Sequence, residues 1–452
     1  MTFIALPIKT GLASTAIGTF NNQNNPVYGE HPDWPNGHVY VATYVEDVGG
    51  TDNVFVCFST DWCQTWTHEQ VTFMTGGSAT GDQYSGSIAV DINGNGFHLV
   101  WYGKGYGQPS APFYPSQLYQ TSLLYGFRDS VGVWTTSIIQ YSGDVEYGDW
   151  HPDFRYKNCT VPSIAIDQLD NVHLAYQYWN SRNFVTRRTW DITWYRKRDH
   201  TTGVWGELAR FLYGIYDATP FEMPHPNLQV DYYGNPHITA RIKKPNSSWG
   251  VEGRTTIWFC NDQQGAFAGW AGSKSGTAVY GEVSVNTRRA LLYEGPASTG
   301  VSIYSRLALS HHYDQGTYDY PHCVYEVHHS GVEQGNFYKY LDGTGWHTEK
   351  LNNLWNADNP SIAIGADGWI YTLVEITPGV YEYRKRTDPA SPWSTPENIA
   401  ASLTSPRHLH QRYPIQYPAD GQDCSPFMGM VGSQATLFRC GFPATSGYGY
   451  FM

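Results

Sequence analysis

Val161-Pro162-Ser163-Ile164-Ala165-Ile166-Asp167-Gln168-Leu169-Asp170-Asn171-Val172-His173-Leu174-Ala175-Tyr176 reads as a short strand, a tight turn and a second strand. Ile164 and Ile166 alternate with small or polar neighbours, a period of two. Asp167 to Asn171 is turn chemistry. Val172, Leu174 and Tyr176 then alternate with His173 and Ala175, so the chain runs back beside itself. One hairpin cannot bury both of its faces, so the pattern calls for copies.

The copies are present. Ser87-Ile88-Ala89-Val90-Asp91 leads to His98-Leu99-Val100-Trp101, and Asn227-Leu228-Gln229-Val230-Asp231 leads to His237-Ile238-Thr239. Ser361-Ile362-Ala363-Ile364 leads to Tyr371-Thr372-Leu373-Val374. Looser versions run from Ser305 to Tyr325, from Tyr413 through a turn at Asp420-Gly421, and from Asn36-Gly37 into His38-Val39-Tyr40-Val41. Starts spaced roughly 50 to 80 residues apart signal a propeller or a repeat array. Most hairpins are followed by a third strand-like run and a Trp: Val54–Phe58 then Trp66, Leu123–Tyr125 then Trp134, Ile192–Tyr195 then Trp205, Phe337–Tyr340 then Trp346, Val380–Tyr383 then Trp393.

Such a unit has two apolar faces and must stack on its neighbours, and radial stacking leaves only short edges. The expectation is an all-β fold: a seven-bladed β-propeller of three- to four-stranded antiparallel blades. Phe3-Ile4-Ala5-Leu6 is expected to supply the missing outer strand of the last blade and close the ring. No linker or low-complexity segment interrupts residues 1–452, so one domain is expected.

Composition agrees. Charged residues are 15% and aromatics 16%, with 46 Gly and 26 Pro, which suits short strands joined by turns. The formal charge of -12 argues against nucleic acid as a partner. No apolar run approaches the ~20 residues of a membrane span. Phe3 to Ile8 has no basic stretch before it and is too short for a secretory leader, so for an extracellular or virion-surface setting either a leader has already been removed or the protein leaves its cell by another route, such as virion release by lysis. The seven cysteines form no CxxC; they are expected to be free thiols, with Cys424 and Cys440 as the one pair that neighbouring strands could join.

Ser59-Thr60-Asp61-Trp62-Cys63-Gln64-Thr65-Trp66 resembles the Asp-box, S-x-D-x-G-x-T-W, of the BNR/sialidase-like β-propellers, with Cys63 in place of the central Gly. The hairpins resemble the P-S-I-A-I-D pattern of the BNR-4-type branch, which includes ulvan-lyase-like and rhamnosidase-like propellers. The resemblance implies a propeller in which the Asp-box marks the turn between third and fourth strands, away from the active face. A sialidase needs an early Arg-Ile-Pro motif, yet no Arg precedes Arg128. The lyase-like branch places one His just before an early hairpin and another just after it; those places fall on Tyr84 and Lys104.

In a propeller, the connections entering the first strand of a blade share one face with those joining its second and third strands. On this chain they carry Asp149-Trp150-His151-Pro152-Asp153-Phe154-Arg155, then Trp179, Arg182 and Arg188, then Arg241, Lys243, Lys244 and Arg254. His225, His408 and Arg412 also map there. Arg forks suit carboxylate or sulfate, and Tyr and Trp suit sugar rings. Arg187-Arg188 and Lys243-Lys244 read equally as solvated loop charges. His98, His173, His237 and His322 recur at one hairpin position, which predicts a structural role in which a ring nitrogen meets a turn carbonyl. The recurrent Trp reads as blade core. His151, flanked by Asp149 and Asp153, reads as a general base, a metal ligand or, more ordinarily, an exposed loop residue making local hydrogen bonds. His408-Leu409-His410 lacks a third ligand, and Asp91 to Gly96 lacks the downstream Glu of a calcium loop, so no metal or cofactor is expected.

These residues point to a propeller that binds polysaccharide or cell-surface glycan, anionic ones included, without nucleic-acid or membrane partners. Two alternatives stand beside it. One is a polysaccharide lyase acting on uronate, with Arg241 as the cation, His151 or His225 as base and Tyr84 as acid, or a glycoside hydrolase using Asp149 and Asp153. The other is a protein-docking scaffold among the subunits of a larger assembly.

Overall fold

The computed structural model describes residues 3–13, 16–17, 25–75, 81–94, 96–105, 121–140, 156–181, 188–206, 208–217, 225–231, 233–244, 254–261, 289–295, 305–310, 320–327, 335–342, 344–353, 360–364, 369–377, 379–400, 403–408, 410–411, 427–431 and 433–440. Every regular element among them is a β-strand. The N-terminal strand β1 (Phe3–Lys9) belongs to the last sheet. The first sheet holds β2 (Val27–Glu30), β3 (His38–Asp47), β4 (Asp52–Ser59) and β5 (Thr67–Gln70). The second holds β6 (Gln83–Val90), β7 (Phe97–Gly103), β8 (Ser122–Arg128) and β9 (Trp134–Gln140). The third holds β10 (Tyr156–Ile166), β11 (Val172–Ser181), β12 (Arg188–Arg198) and β13 (Ala209–Asp217). The fourth holds β14 (Asn227–Val230), β15 (Pro236–Lys244), β16 (Arg254–Asn261) and β17 (Arg289–Gly295). The fifth holds β18 (Ser305–Ser310), β19 (Tyr320–Val327), β20 (Gly335–Asp342) and β21 (Gly345–Lys350). The sixth holds β22 (Ser361–Ile364), β23 (Ile370–Thr377), β24 (Val380–Arg386) and β25 (Glu397–Ala400). The last holds β26 (Leu403–His408), β28 (Phe427–Val431), β29 (Gln434–Cys440) and β1, while β27 (His410–Gln411) runs parallel to β2.

Each sheet is an antiparallel meander, and consecutive sheets touch through their first strands: β6 on β10, β10 on β14, β14 on β18, β18 on β22 and β22 on β26. Sheets stacked in that way around a common axis make an all-β propeller. The alternating strands have apolar residues on both faces because each sheet lies between two others; β7 is buried almost throughout, whereas the outer strand β9 is largely exposed. Core clusters therefore bridge neighbours. Val39, Val41 and Val56 of the first sheet meet Ile88, Leu99 and Trp101 of the second. Tyr28, Tyr40 and Tyr44 of the first meet Met428, Met430 and Leu437 of the last. Polar side chains stitch the first strands together: Ser87 Oγ accepts from the Ile164 amide at 3.1 Å, Ser163 Oγ from Leu228 at 3.0 Å, and Asn227 Oδ1 from Leu307 at 2.8 Å.

Four sequence expectations need correction. The strand opening the quoted stretch begins at Tyr156, ahead of Val161, because a bulge between Thr160 and Ser163 lets the ladder continue past Val161-Pro162. The equivalent bulge between Tyr84 and Ser87 falls at Gly86, where a Cβ would lie 2.1 Å from the Val100 carbonyl oxygen. In the last sheet, the inner strand is Leu403–His408; the expected hairpin at Tyr413 to Gly421 lies outside the described residues. The recurrent histidines meet carboxylates more often than carbonyls. His98, His173 and His237 bond Asp91, Asp167 and Asp231, while His38 bonds the Asn36 carbonyl at 2.9 Å. Finally, Trp66, Trp134, Trp205, Trp346 and Trp393 are half-buried, and the first three and Trp393 pack on the edge of the core clusters and not within them, because the outer strand they begin or precede faces solvent.

Candidate ligand face

Within each meander, the start of the first strand, the end of the second and the start of the third lie at one end. The described residues bring Tyr84, Lys104, Trp179, Arg188, His225, Arg241 and Lys243 to this end. Trp179, Arg188, Arg241 and Lys243 are strand residues and not loop residues as expected: β11, β12, β15 and β16 are longer than their alternation suggested. His408 is a correction. As the last residue of β26, paired with Phe427 at the start of β28, it lies at the opposite end. His151, Asp149, Asp153, Arg155, Arg182 and Arg412 lie outside the described residues, as does Cys424. Cys57, Cys63 and Cys323 are buried thiols.

The side-chain geometry is clearest at the mouth of the second sheet. Gln83 is buried beside Tyr84 and organises the local chain. Its amide nitrogen donates to the Gly81 carbonyl at 2.7 Å and to the Lys104 carbonyl at 3.1 Å, and its oxygen accepts from Trp101 Nε1 at 3.0 Å. Gly103 is what lets Gln83 reach: a Cβ there would lie 1.9 Å from the Gln83 amide oxygen. The Lys104 amide donates to the Asp82 carbonyl at 2.9 Å, which ties the end of β7 to the start of β6. On this frame Tyr84 and Tyr102 stack, with centroids 4.8 Å apart and planes 11° from parallel. Lys104 Nζ stands 5.7 Å from the Tyr84 centroid and 3.9 Å from Asp82 Oδ2.

Sequence reading missed the carboxylates. Asp52, at the start of β4, donates its amide to Asp82 Oδ1 at 3.2 Å. Burial first, then the charges of Asp82 and Asp47, hold the Asp52 carboxyl above its ordinary 3.8, against the pull of Lys104. The signal was the Asp that directly precedes Gln83-Tyr84. Arg306 was also missed. It is fully buried on β18, at the position where sister strands carry Ser87, Ser163 and Asn227, and burial brings its guanidinium down to about 9. His225, a candidate base, is buried ahead of β14.

The opposite end is built for stability. The Ser59–Trp66 turn lies between β4 and β5; Asp61 accepts from Ser59 Oγ at 2.8 Å, from the Thr65 amide at 2.9 Å and from Thr65 Oγ1 at 2.6 Å. Cys63 adopts a left-handed φ of 66°, the conformation that favours the Gly of the motif, and its buried side chain packs against the first-sheet core in return. No cluster of three or more metal-ligating side chains occurs among the described residues, and none of their helices is long and apolar enough to cross a membrane.

No family model and no curated protein matches this chain. Among solved structures it is similar to Trypanosoma rangeli sialidase bound to the inhibitor DANA, at 11% identity over 84% of this chain and 58% of that one, with a TM-score of 0.40. It is also similar to an alpha-L-arabinofuranosidase from Fusarium graminearum, at 11% identity over 92% of this chain and 97% of that one, TM-score 0.43. A protein of unknown function from Dyadobacter fermentans gives 10% identity over 81% and 97%, TM-score 0.44. The chain thus spans about 58% of the sialidase's length. At such identities and TM-scores these likenesses carry no argument; by its own sheet order the chain is an all-β propeller.

Proposed function

We propose that this propeller recognises a glycan on the face where second strands end and third strands begin. The observation that carries the reading is the mouth of the second sheet: a stacked Tyr84–Tyr102 pair with a cation, Lys104, and a carboxylate, Asp82, beside it. Aromatic rings take the apolar C–H faces of a sugar, and flanking charges take its hydroxyls. The proposed setting is extracellular or on a virion, alone or among subunits of an assembly. The finer reading of the fold belongs to the same proposal: one domain whose sheets are the seven blades of a ring closed by β1, as in the BNR-4-type propellers that its hairpins resemble.

A glycan array tests this. Retention of the wild-type chain, reduced about tenfold or more in Tyr84→Ala and in Lys104→Ala with the melting temperature held, is the expected result, since a tenfold loss is the removal of one modest contact. A silent array with well-folded protein overturns it. Tyr84 at this mouth and Arg241 at the same end also support cleavage as a second reading. Incubation with uronate-containing polysaccharide decides it: absorbance from an unsaturated sugar marks a lyase, and its absence with retained binding leaves recognition.

A further inference from the structure

We infer that the ligand-facing end of the fourth sheet is an anion-binding rim, so that the glycan proposed above carries sulfate or carboxylate groups. The word glycan rests on that reading; the word anionic rests on separate observations. β15 ends in Arg241-Ile242-Lys243-Lys244, and β16 opens at Arg254. The ladder sets Lys244 directly opposite Arg254, Lys243 opposite Thr255 and Arg241 opposite Ile257. Residues two apart on a strand share a face, so Arg241 and Lys243 take one face of this end and Lys244 with Arg254 take the other. Like charges directly opposite on a ladder repel. The next strand offers one carboxylate here, Glu294 opposite Thr256. Asp217, on the adjoining β13, is matched at its own register by Arg188.

The cations are sorted and not spread. The chain carries a formal charge of -12, and the corresponding end of the first sheet carries Glu46, Asp47 and Asp52. The register thus gathers Arg241, Lys243, Lys244 and Arg254 at one end of the sheet in an otherwise acidic chain, and a bound anion would offset the charge brought together there.

Dextran sulfate and neutral dextran serve as probes for the full chain. The expected result is retention on dextran sulfate only, weakening as salt rises. The paired variants Lys244→Gln with Arg254→Gln, and Arg241→Gln with Lys243→Gln, should each lose about tenfold in affinity. Lys244→Glu separates binding from folding, because an opposite charge facing Arg254 should raise the melting temperature while reducing retention. Wild-type protein that ignores dextran sulfate, or variants that bind it like wild type, overturn the rim. Dextran sulfate binding with a silent glycan array keeps the rim and removes the glycan reading. Neutral and acidic glycans bound equally, with the paired variants harmless, do the reverse.

Discussion

His173 shows what the recurrent imidazole does. It is fully buried, with Nε2 3.1 Å from Asp167 Oδ2 and Nδ1 2.8 Å from the Tyr195 hydroxyl. A neutral ring protonated on Nε2 donates to the carboxylate and accepts from the phenol. Asp167 also accepts from the Asn171 amide at 2.9 Å and from Lys197 Nζ at 2.9 Å. Burial raises the Asp167 carboxyl, yet the hydrogen bonds from His173, Asn171 and Lys197 outweigh it and leave it well below its ordinary 3.8. Burial lowers His173 below its ordinary 6.5, against the pull of Asp167. Both shifts act in one direction. As pH falls through 6.5, the unfolded chain binds a proton at this His that the folded chain resists; below 3.8 the same holds for Asp167. The melting temperature should therefore decline from about pH 6.5 downward and more steeply below about pH 4. Asp167→Asn should cost about 1.5–3 kcal/mol at neutral pH and flatten the acid limb. A melting temperature that stays level between about pH 7 and 5 would show the ring already charged in the fold. The sequence marked this position as structural through its repetition. It named the wrong partner, although an Asp opens each of these turns at Asp91, Asp167 and Asp231.

Between elements, Trp134, Trp205 and Trp393 reach across the seam to the preceding sheet, whereas Trp346 meets Lys339 of its own sheet. Trp134 Nε1 donates to Glu69 Oε2 at 2.8 Å, and Arg128 grips the same carboxylate from Nε at 2.7 Å and Nη2 at 2.8 Å. The Arg128 guanidinium lies 5.0 Å from the Phe58 centroid and 5.2 Å from Phe97. Trp393, Arg386 and Glu349 repeat the arrangement between the fifth and sixth sheets, with bonds of 2.8 and 2.9 Å to the carboxylate. In the third sheet Arg198 and Trp205 meet Tyr125 of the second, with no carboxylate between them among the described residues. Periodicity reveals where a Trp stands within its unit. It cannot reveal which side chain of the preceding unit it meets, so the sequence assigned these rings to the interior. A bidentate Arg–Glu pair shielded by aromatic rings is worth more than an open surface pair. A double-mutant cycle of Glu69→Gln and Arg128→Met, read by denaturant unfolding, should give a coupling of about 1 kcal/mol or more. Additive effects would mean that the seam is held by its apolar contacts alone.

At the scale of the molecule, the repeat made the architecture legible and hid the site. Seven hairpins that copy one another specify sheets, since each copy has a buried face to satisfy, and Phe3–Leu6 was legible as a spare strand. The proposed ligand end is made of what does not repeat. Tyr84 and Lys104 were reached through a resemblance, whereas Asp52 and Asp82 come from different sheets and meet only in three dimensions. The same logic singles out β1, which completes the last sheet. It pairs with β29 from Phe3 against Cys440 to Lys9 against Ala435, with a bulge after Pro7, a residue that an edge strand tolerates. Ile8 is buried in the cluster that joins the last sheet to the first, and the Leu12 amide continues the contact by donating to the Ser433 carbonyl at 2.9 Å. Removing residues 1–9 leaves β29 as an open edge and uncovers apolar surface of the cluster that the last sheet shares with the first. The truncated chain should melt well below the full-length protein and self-associate, as read by calorimetry and size-exclusion chromatography. Adding back a peptide of the sequence Phe3–Lys9 should recover part of the loss, because it restores the ladder without the covalent link. A truncation that melts like the full chain would mean that the contact of β27 with β2 and the Tyr–Met cluster hold the first and last sheets together by themselves.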